Sequence, residues 1–201
     1  MSKSKQKGLT LIELMIAMII GILIIGGVIG MFVTSVRSNA DHIKMIELNQ
    51  EMRVVMSLIT RELRMANADE AAFNALPNVY LCDACDVTLN TVDGNQTLAF
   101  SFNGDNKSFA INGDVIVFDN GANPEGLTMP EHNYSTSSFT VWKLYTSVAD
   151  GTRWENQNYA IQADDTDEDQ IKVDINLVGS TEISGGDIAQ RRLIKTVRVR
   201  N

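Results

Sequence analysis

Cysteine, histidine and proline are scarce in this chain of 201 residues, and each shortage closes off a class of protein. Two cysteines cannot supply the several bridges of a disulfide-framed secreted domain. Two histidines leave little for a histidine-rich metal centre. Three prolines, none before Pro77, leave the first third of the chain free of the strongest helix breaker. Cations are also in deficit: 17 Lys and Arg face 25 Asp and Glu, a formal charge of −8. That balance argues against a nucleic-acid-binding role, which needs clustered Lys and Arg. No Gly-x-Ser-x-Gly, phosphate loop or HExxH is present, His42 falls in a predicted helix and His132 in a predicted loop, so an enzyme is not expected. Hydrophobic residues reach 44%, too many for wholesale disorder. Length and composition admit one globular domain with an appendage.

The appendage is at the N-terminus. Residues 1–8 carry Lys3, Lys5 and Lys7 and no acid, and from Leu14 to Val33 there are 20 consecutive uncharged residues. An apolar helix of that length rises about 30 Å, the thickness of a bilayer's hydrocarbon core. The lysines before it predict a cytoplasmic N-terminus and a chain that continues on the far side. A secretory signal fits poorly, because its apolar region is shorter and ends in a small-x-small cleavage site. A plain single-span anchor explains the length and the lysines, but not Glu13, which sits one turn inside the apolar boundary. An ionisable group there is costly and calls for a partner.

The string Lys7-Gly8-Leu9-Thr10-Leu11-Ile12-Glu13-Leu14 resembles the type IV prepilin processing motif. The resemblance implies that a prepilin peptidase cuts between Gly8 and Leu9 on the cytoplasmic face and that the new Leu9 amine is methylated. Leu stands where family members most often have Phe. The resemblance also implies that Glu13 pairs with the amine of a neighbouring subunit and sets its register, since either charge alone in apolar surroundings would be strongly unfavourable. Gly21, Gly26, Gly27 and Gly30 weaken the helix in water by about 1 kcal/mol each. They read either as close-approach sites, with Gly26 and Gly30 forming a G-x-x-x-G, or as points where the helix unwinds on entering a filament.

Beyond Arg37 the pattern becomes amphipathic. Met45, Leu48, Met52, Val55, Ile59, Leu63 and Ala66 recur three and four apart, widened by Met56, and predict a stripe that must bury against another element. Asp41, Lys44, Glu47, Glu51, Arg53, Ser57, Arg61 and Arg64 are assigned to the opposite, solvent-facing side. One helix from Leu9 to Asn67 would run about 90 Å.

From Asp69 onward β-like runs alternate with turn residues. Thr97–Phe102, Lys107–Ile111, Asp114–Phe118, Ser138–Tyr145, Asn158–Ala163, Gln170–Leu177 and Leu193–Arg200 are predicted strands, and Asn112-Gly113 is a hairpin signal. The fold class expected is α+β: a long N-terminal helix laid on one face of an antiparallel sheet, the pilin architecture. The domain boundaries expected are a leader at 1–8, a transmembrane or filament-core helix at 9–36, its amphipathic continuation at 37–68 and a periplasmic β-rich domain at 69–201.

Two further motifs carry possible chemistry. Cys82-x-x-Cys85 reads as a redox pair, a partial metal site or a small disulfide staple after Tyr80. No βαβ pattern surrounds it and no second pair exists, which favours the staple. The run Asp164-Asp165-Thr166-Asp167-Glu168-Asp169 is assigned to a loop. Asp164, Asp165, Asp167 and Asp169 are a weak calcium candidate, but the run lacks the glycine and the spaced terminal acid of an EF-hand, so a solvated charge run is the plainer reading. No other metal or cofactor is expected.

Arg61-Glu62-Leu63-Arg64-Met65-Ala66 and Thr196-Val197-Arg198-Val199-Arg200-Asn201 resemble the PilW-type minor pilins. That resemblance implies a minor pilin that primes or joins type IV pilus assembly. Its partners would be other minor and major pilins, prepilin peptidase, the inner-membrane assembly platform and membrane lipid. It would be anchored first in the inner membrane, N-terminus inside and C-terminal domain in the periplasm, and then held in the filament at the cell surface. Two other readings stay open: a minor pseudopilin of a type II secretion system, and an adhesion or DNA-uptake module at a pilus tip.

Overall fold

The computed structural model describes residues 10–66, 87–92, 94–102, 105–156, 158, 162 and 165–199. The chain divides into two compact units, Met1–Ile43 and Lys44–Asn201, and helix α1 (Leu11–Met65) contributes to each. Among the described residues of the first unit the helix stands alone, and its apolar side chains are exposed. A Cβ added at Gly21, Gly26, Gly27 or Gly30 would meet nothing within 4 Å.

Among the described residues, the second unit holds ten strands in two antiparallel sheets. In the first, β1 (Val87–Val92), β2 (Asn95–Phe102), β3 (Asp105–Asn112), β4 (Val115–Asp119) and β5 (Pro124–Gly126) follow one another as a meander. In the second, the order is β10 (Ile188–Val199), β9 (Thr166–Glu182), β7 (Ser138–Ser147), β8 (Gly151–Asn156). The short β6 (His132–Asn133) pairs with β9 at Thr181 and Ser180, beyond the rungs that β7 occupies. The expectation of a single sheet is therefore corrected to two. Alternation along a strand fixes which side is apolar, but not which strand lies beside it.

The stripe on α1 forms as the spacing predicts. Leu48, Met52, Val55, Met56, Ile59, Leu63 and Ala66 are buried, and Met45 is half-buried. The buried ones share one core with Leu98, Phe100, Phe109 and Ile116 of the first sheet and Phe139, Ile171, Val173, Ile175, Leu177 and Val197 of the second. Phe109 stacks on Phe100 and Phe118 at 5.8 and 4.7 Å between ring centres. The sheets are tied by the Phe139 amide of β7, which donates to Gln96 Oε1 of β2 at 2.7 Å.

Three local differences have clear causes. The hairpin between β3 and β4 closes on the pair Asn112–Val115, so its two loop residues are Gly113-Asp114, one later than the Asn-Gly signal suggests. Gly113 takes the positive φ of 59° that the turn requires, and Asn112 is held in the strand by Asn95, whose side chain reaches both Asn112 and the Gly113 amide. Strand β9 begins at Thr166, so Asp167, Glu168 and Asp169 belong to a strand and not to a loop. The predicted strand at Asn158–Ala163 does not form at its described residues: Asn158 is a turn residue and Gln162 is outside any strand, while β8 lies earlier.

On the outer face of the second sheet, Lys172 of β9 lies between the rings of Trp142 and Trp154, 4.9 and 4.7 Å from their centres. Trp142 Nε1 donates to Asp174 at 2.7 Å. Both tryptophans of the chain are thereby fixed around one ammonium group.

Candidate functional site

The helix begins at a threonine. Thr10 precedes the first helical residue, and its carbonyl accepts from the amides of Glu13 at 3.1 Å and Leu14 at 3.3 Å. The Thr10 hydroxyl donates to Glu13 Oε2 at 3.5 Å, so Thr-x-x-Glu opens the helix with its acid in the first turn. A carboxylate there is favoured by the positive end of the helix dipole. Beyond Glu13 no charged residue occurs until Arg37.

Around that acid the helix surface is almost wholly apolar and uncovered. Leu11 and Met31 are each 79% exposed, and the Ile, Leu, Met and Val side chains between them, like Phe32 just beyond, are more than half exposed. An apolar window here is long enough to cross a membrane, and none of it is buried in the protein. So large an exposed apolar surface marks a segment made for lipid or for other protein helices. Glu13 is its single charge. Gly8 and Leu9, the expected cleavage and methylation site, lie outside the described residues, as do Cys82, Cys85 and Asp164.

The second unit carries two buried acids on α1 that the helical pattern does not flag. Glu51, assigned to the solvent face, is turned into the domain with its side chain 8% exposed. It accepts from the Met129 amide at 3.0 Å and stands 3.2 Å from His132 Nδ1. His132 is itself buried, held by β6 against β9. Beside them the Tyr134 hydroxyl is buried and has no hydrogen-bond partner among the described residues. Burial first, and then the neighbouring Glu51 carboxylate, raise its ionisation far above the ordinary tyrosine range. A cleft of about 670 Å³ opens alongside, lined by Lys44, Glu47, Glu131, His132 and Glu182 among others. Lys44 Nζ donates there to the Glu182 carbonyl at 2.8 Å.

Glu62 is the other buried acid. Its carboxylate takes Lys107 Nζ of β3 at 3.0 Å and Arg61 at 2.9 Å. Burial works against its charge, but the hydrogen bonds and charges of Lys107 and Arg61 outweigh burial and hold the carboxyl below its usual range. Nothing in the sequence pairs residues 45 positions apart, so neither this ion pair nor the Glu51–His132 contact was legible before folding.

Of the weak calcium candidates, Asp165 is committed elsewhere. Its buried carboxylate meets Arg153 at 3.1 Å and accepts from the Gln162 amide at 2.8 Å, while Arg153 also holds Asp150 and Glu155. Asp167 and Asp169 occupy alternate positions at the start of β9. Among the described residues no three His, Cys, Asp or Glu side chains converge as a metal site would require.

The prokaryotic N-terminal methylation motif matches residues 3–29, which contain Glu13 and most of the apolar surface described above. No curated protein and no solved structure matches the chain. The motif indicates a type IV pilin- or pseudopilin-like protein, and the exposed apolar helix behind it, with antiparallel sheets packed on that helix's continuation, fits the pilin fold.

Proposed function

We propose that the chain is a minor pilin that joins or primes a type IV pilus after prepilin peptidase cleaves between Gly8 and Leu9. The observation that carries this reading is Glu13, the lone acid in the exposed apolar helix of the methylation motif. Lys3, Lys5 and Lys7 hold the leader on the cytoplasmic side, and the domain of β-strands stands in the periplasm. Cleavage releases the Leu9 amine, which is then methylated. In the filament the apolar helices of neighbouring subunits cover one another, and Glu13 pairs with a neighbour's Leu9 amine. Leaving Glu13 buried without that amine would cost about 3–5 kcal/mol, so the pair selects the axial register in which the charges meet.

Loss of the leader leaves 14 basic against 25 acidic side chains, a balance of −11 before the termini. Like charge on adjacent domains favours few copies per filament, as in a minor subunit that meets major pilins, other minor pilins and the inner-membrane assembly platform.

The first test is the intact mass of the protein from cells with and without prepilin peptidase. A peptidase-dependent loss of residues 1–8 with the gain of one methyl group is expected, and an uncut chain in both strains overturns the proposal. Deleting the protein separates the machine: loss of pili is expected, whereas intact pili with failed protein secretion would make it a type II secretion subunit.

A further inference from the structure

Strand β10 forms one edge of the second sheet. It pairs with β9 from Ile188 to Val199, and among the described residues no strand pairs with its other side. A free edge of 12 residues offers a row of backbone donors and acceptors to any extended chain.

The composition of this edge is one-sided. Arg191, Arg192, Lys195 and Arg198 are all exposed, and the strand contains no acid, in a chain where acids outnumber bases. Ile188 and Ile194 are 73% and 60% exposed beside them. Alternation puts Arg192, Ile194, Thr196 and Arg198 on the sheet's outer face, and Arg191 and Lys195 on the face of Leu193 and Val197. Two outer side chains are already braced by β9: Arg192 donates to Asn176, and the Thr196 hydroxyl to Asp174. At the next rung Arg198 lies directly opposite Lys172, which the two tryptophans hold in place. Like charges on opposed residues are destabilising, and a carboxylate from outside would relieve that repulsion.

We infer that the free edge of β10 binds an extended acidic segment of a partner protein by strand addition. The partner strand continues the backbone ladder, its carboxylates face Arg192 and Arg198 on one side and Arg191 and Lys195 on the other, and an apolar residue covers Ile194. Two copies of β10 would bring cations against cations, so the same charges that recruit an acidic strand exclude self-pairing at this edge. A nucleic acid would use the cations but leave the backbone edge and both isoleucines unoccupied. This inference stands on the second unit alone and is independent of the N-terminal motif.

The test uses the full chain in detergent and a labelled 12-residue peptide of glutamate and valine, with fluorescence anisotropy and amide hydrogen exchange as readouts. Saturable binding is expected, with slowed exchange at β10, and at least tenfold weaker binding to the R191E/R192E/K195E/R198E variant. A peptide of the same sequence methylated at every backbone amide keeps its charge but has no donor left on either edge and cannot extend a sheet, and it is expected to lose binding. Equal binding of the methylated peptide overturns strand addition, even if the charge-reversed variant fails to fold. Tighter binding of a 20-base-pair duplex DNA than of the peptide, displaceable by neither apolar nor acidic strands, overturns it in favour of a nucleic-acid surface.

Discussion

Gly179 of β9 lies so close beneath Leu48 of α1 that a Cβ at position 179 would stand 2.8 Å from the Leu48 Cδ1 atom. The same atom would be 3.1 Å from the Tyr134 ring and 3.2 Å from the Met52 sulfur. All three neighbours are buried, so none can swing into solvent. Gly179→Ala is expected to destabilise the domain by about 1–3 kcal/mol through overpacking. Leu48→Ala alone is expected to cost about 2–5 kcal/mol, and the double variant clearly less than the sum, because the methyl lost at 48 makes room at 179. Urea unfolding followed by circular dichroism gives all three values.

Tyr134 makes the opposite case. Its hydroxyl is buried beside the Glu51 carboxylate, so Tyr134→Phe removes a desolvation cost together with that one polar contact. Stability is expected to change by no more than about 1 kcal/mol. In the native chain this hydroxyl is also expected to stay protonated at alkaline pH above the ordinary tyrosine range, which phenolate absorbance reads directly.

The stripe and the class of fold were legible because both rest on periodicity: three-and-four spacing from Met45 to Ala66, and alternation in segments such as Ser138–Tyr145. Glu13 was legible because a charge in an apolar run is conspicuous. The division into two sheets, the burial of Glu51 and the Glu62–Lys107 pair depend on which distant segments meet, and local pattern does not encode that. Glu51 misled for a physical reason: it lies at the margin of the stripe, where a carboxylate is tolerated only once His132 and the Met129 amide arrive to hold it.

Acid stability should expose the Glu62 pair. Its carboxyl is held below the ordinary 4.5 in the folded chain, so its contribution is fully present above that pH and is lost as pH falls through the lower folded value. Glu62→Gln is expected to flatten the stability profile below pH 4.5 while costing stability at pH 7. Lys107→Met leaves a buried acid with one cation fewer and is expected to cost about 3 kcal/mol at pH 7, with part of the loss recovered in acid. Denaturation midpoints across pH 3–7 test both signs.

Arg153 serves three carboxylates, and one of them, on Asp165, is fully buried. Arg153→Ala is expected to destabilise the domain by about 2–3 kcal/mol, far more than an exposed ion pair would. The added Arg153→Ala/Asp165→Asn change is expected to recover part of it, by the same urea measurement.

At the other end of the chain, Glu13→Ala removes a charge that lipid disfavours and that, in the proposed filament, pairs with a neighbour's amine. Membrane retention and leader removal are expected to persist, while incorporation into sheared pili falls at least tenfold by immunoblot. Normal incorporation would show that the register is set elsewhere.

The cation held between Trp142 and Trp154 also decides what an optical experiment on this protein can see. Every indole in the chain sits at one crossing of β7, β8 and β9. Tryptophan emission therefore reports on the second sheet and is blind to the first, whose stacked phenylalanines give almost no competing signal. If the two sheets come apart in separate steps, an emission melt and a far-ultraviolet melt will part company, and the emission curve will belong to the sheet that carries β10.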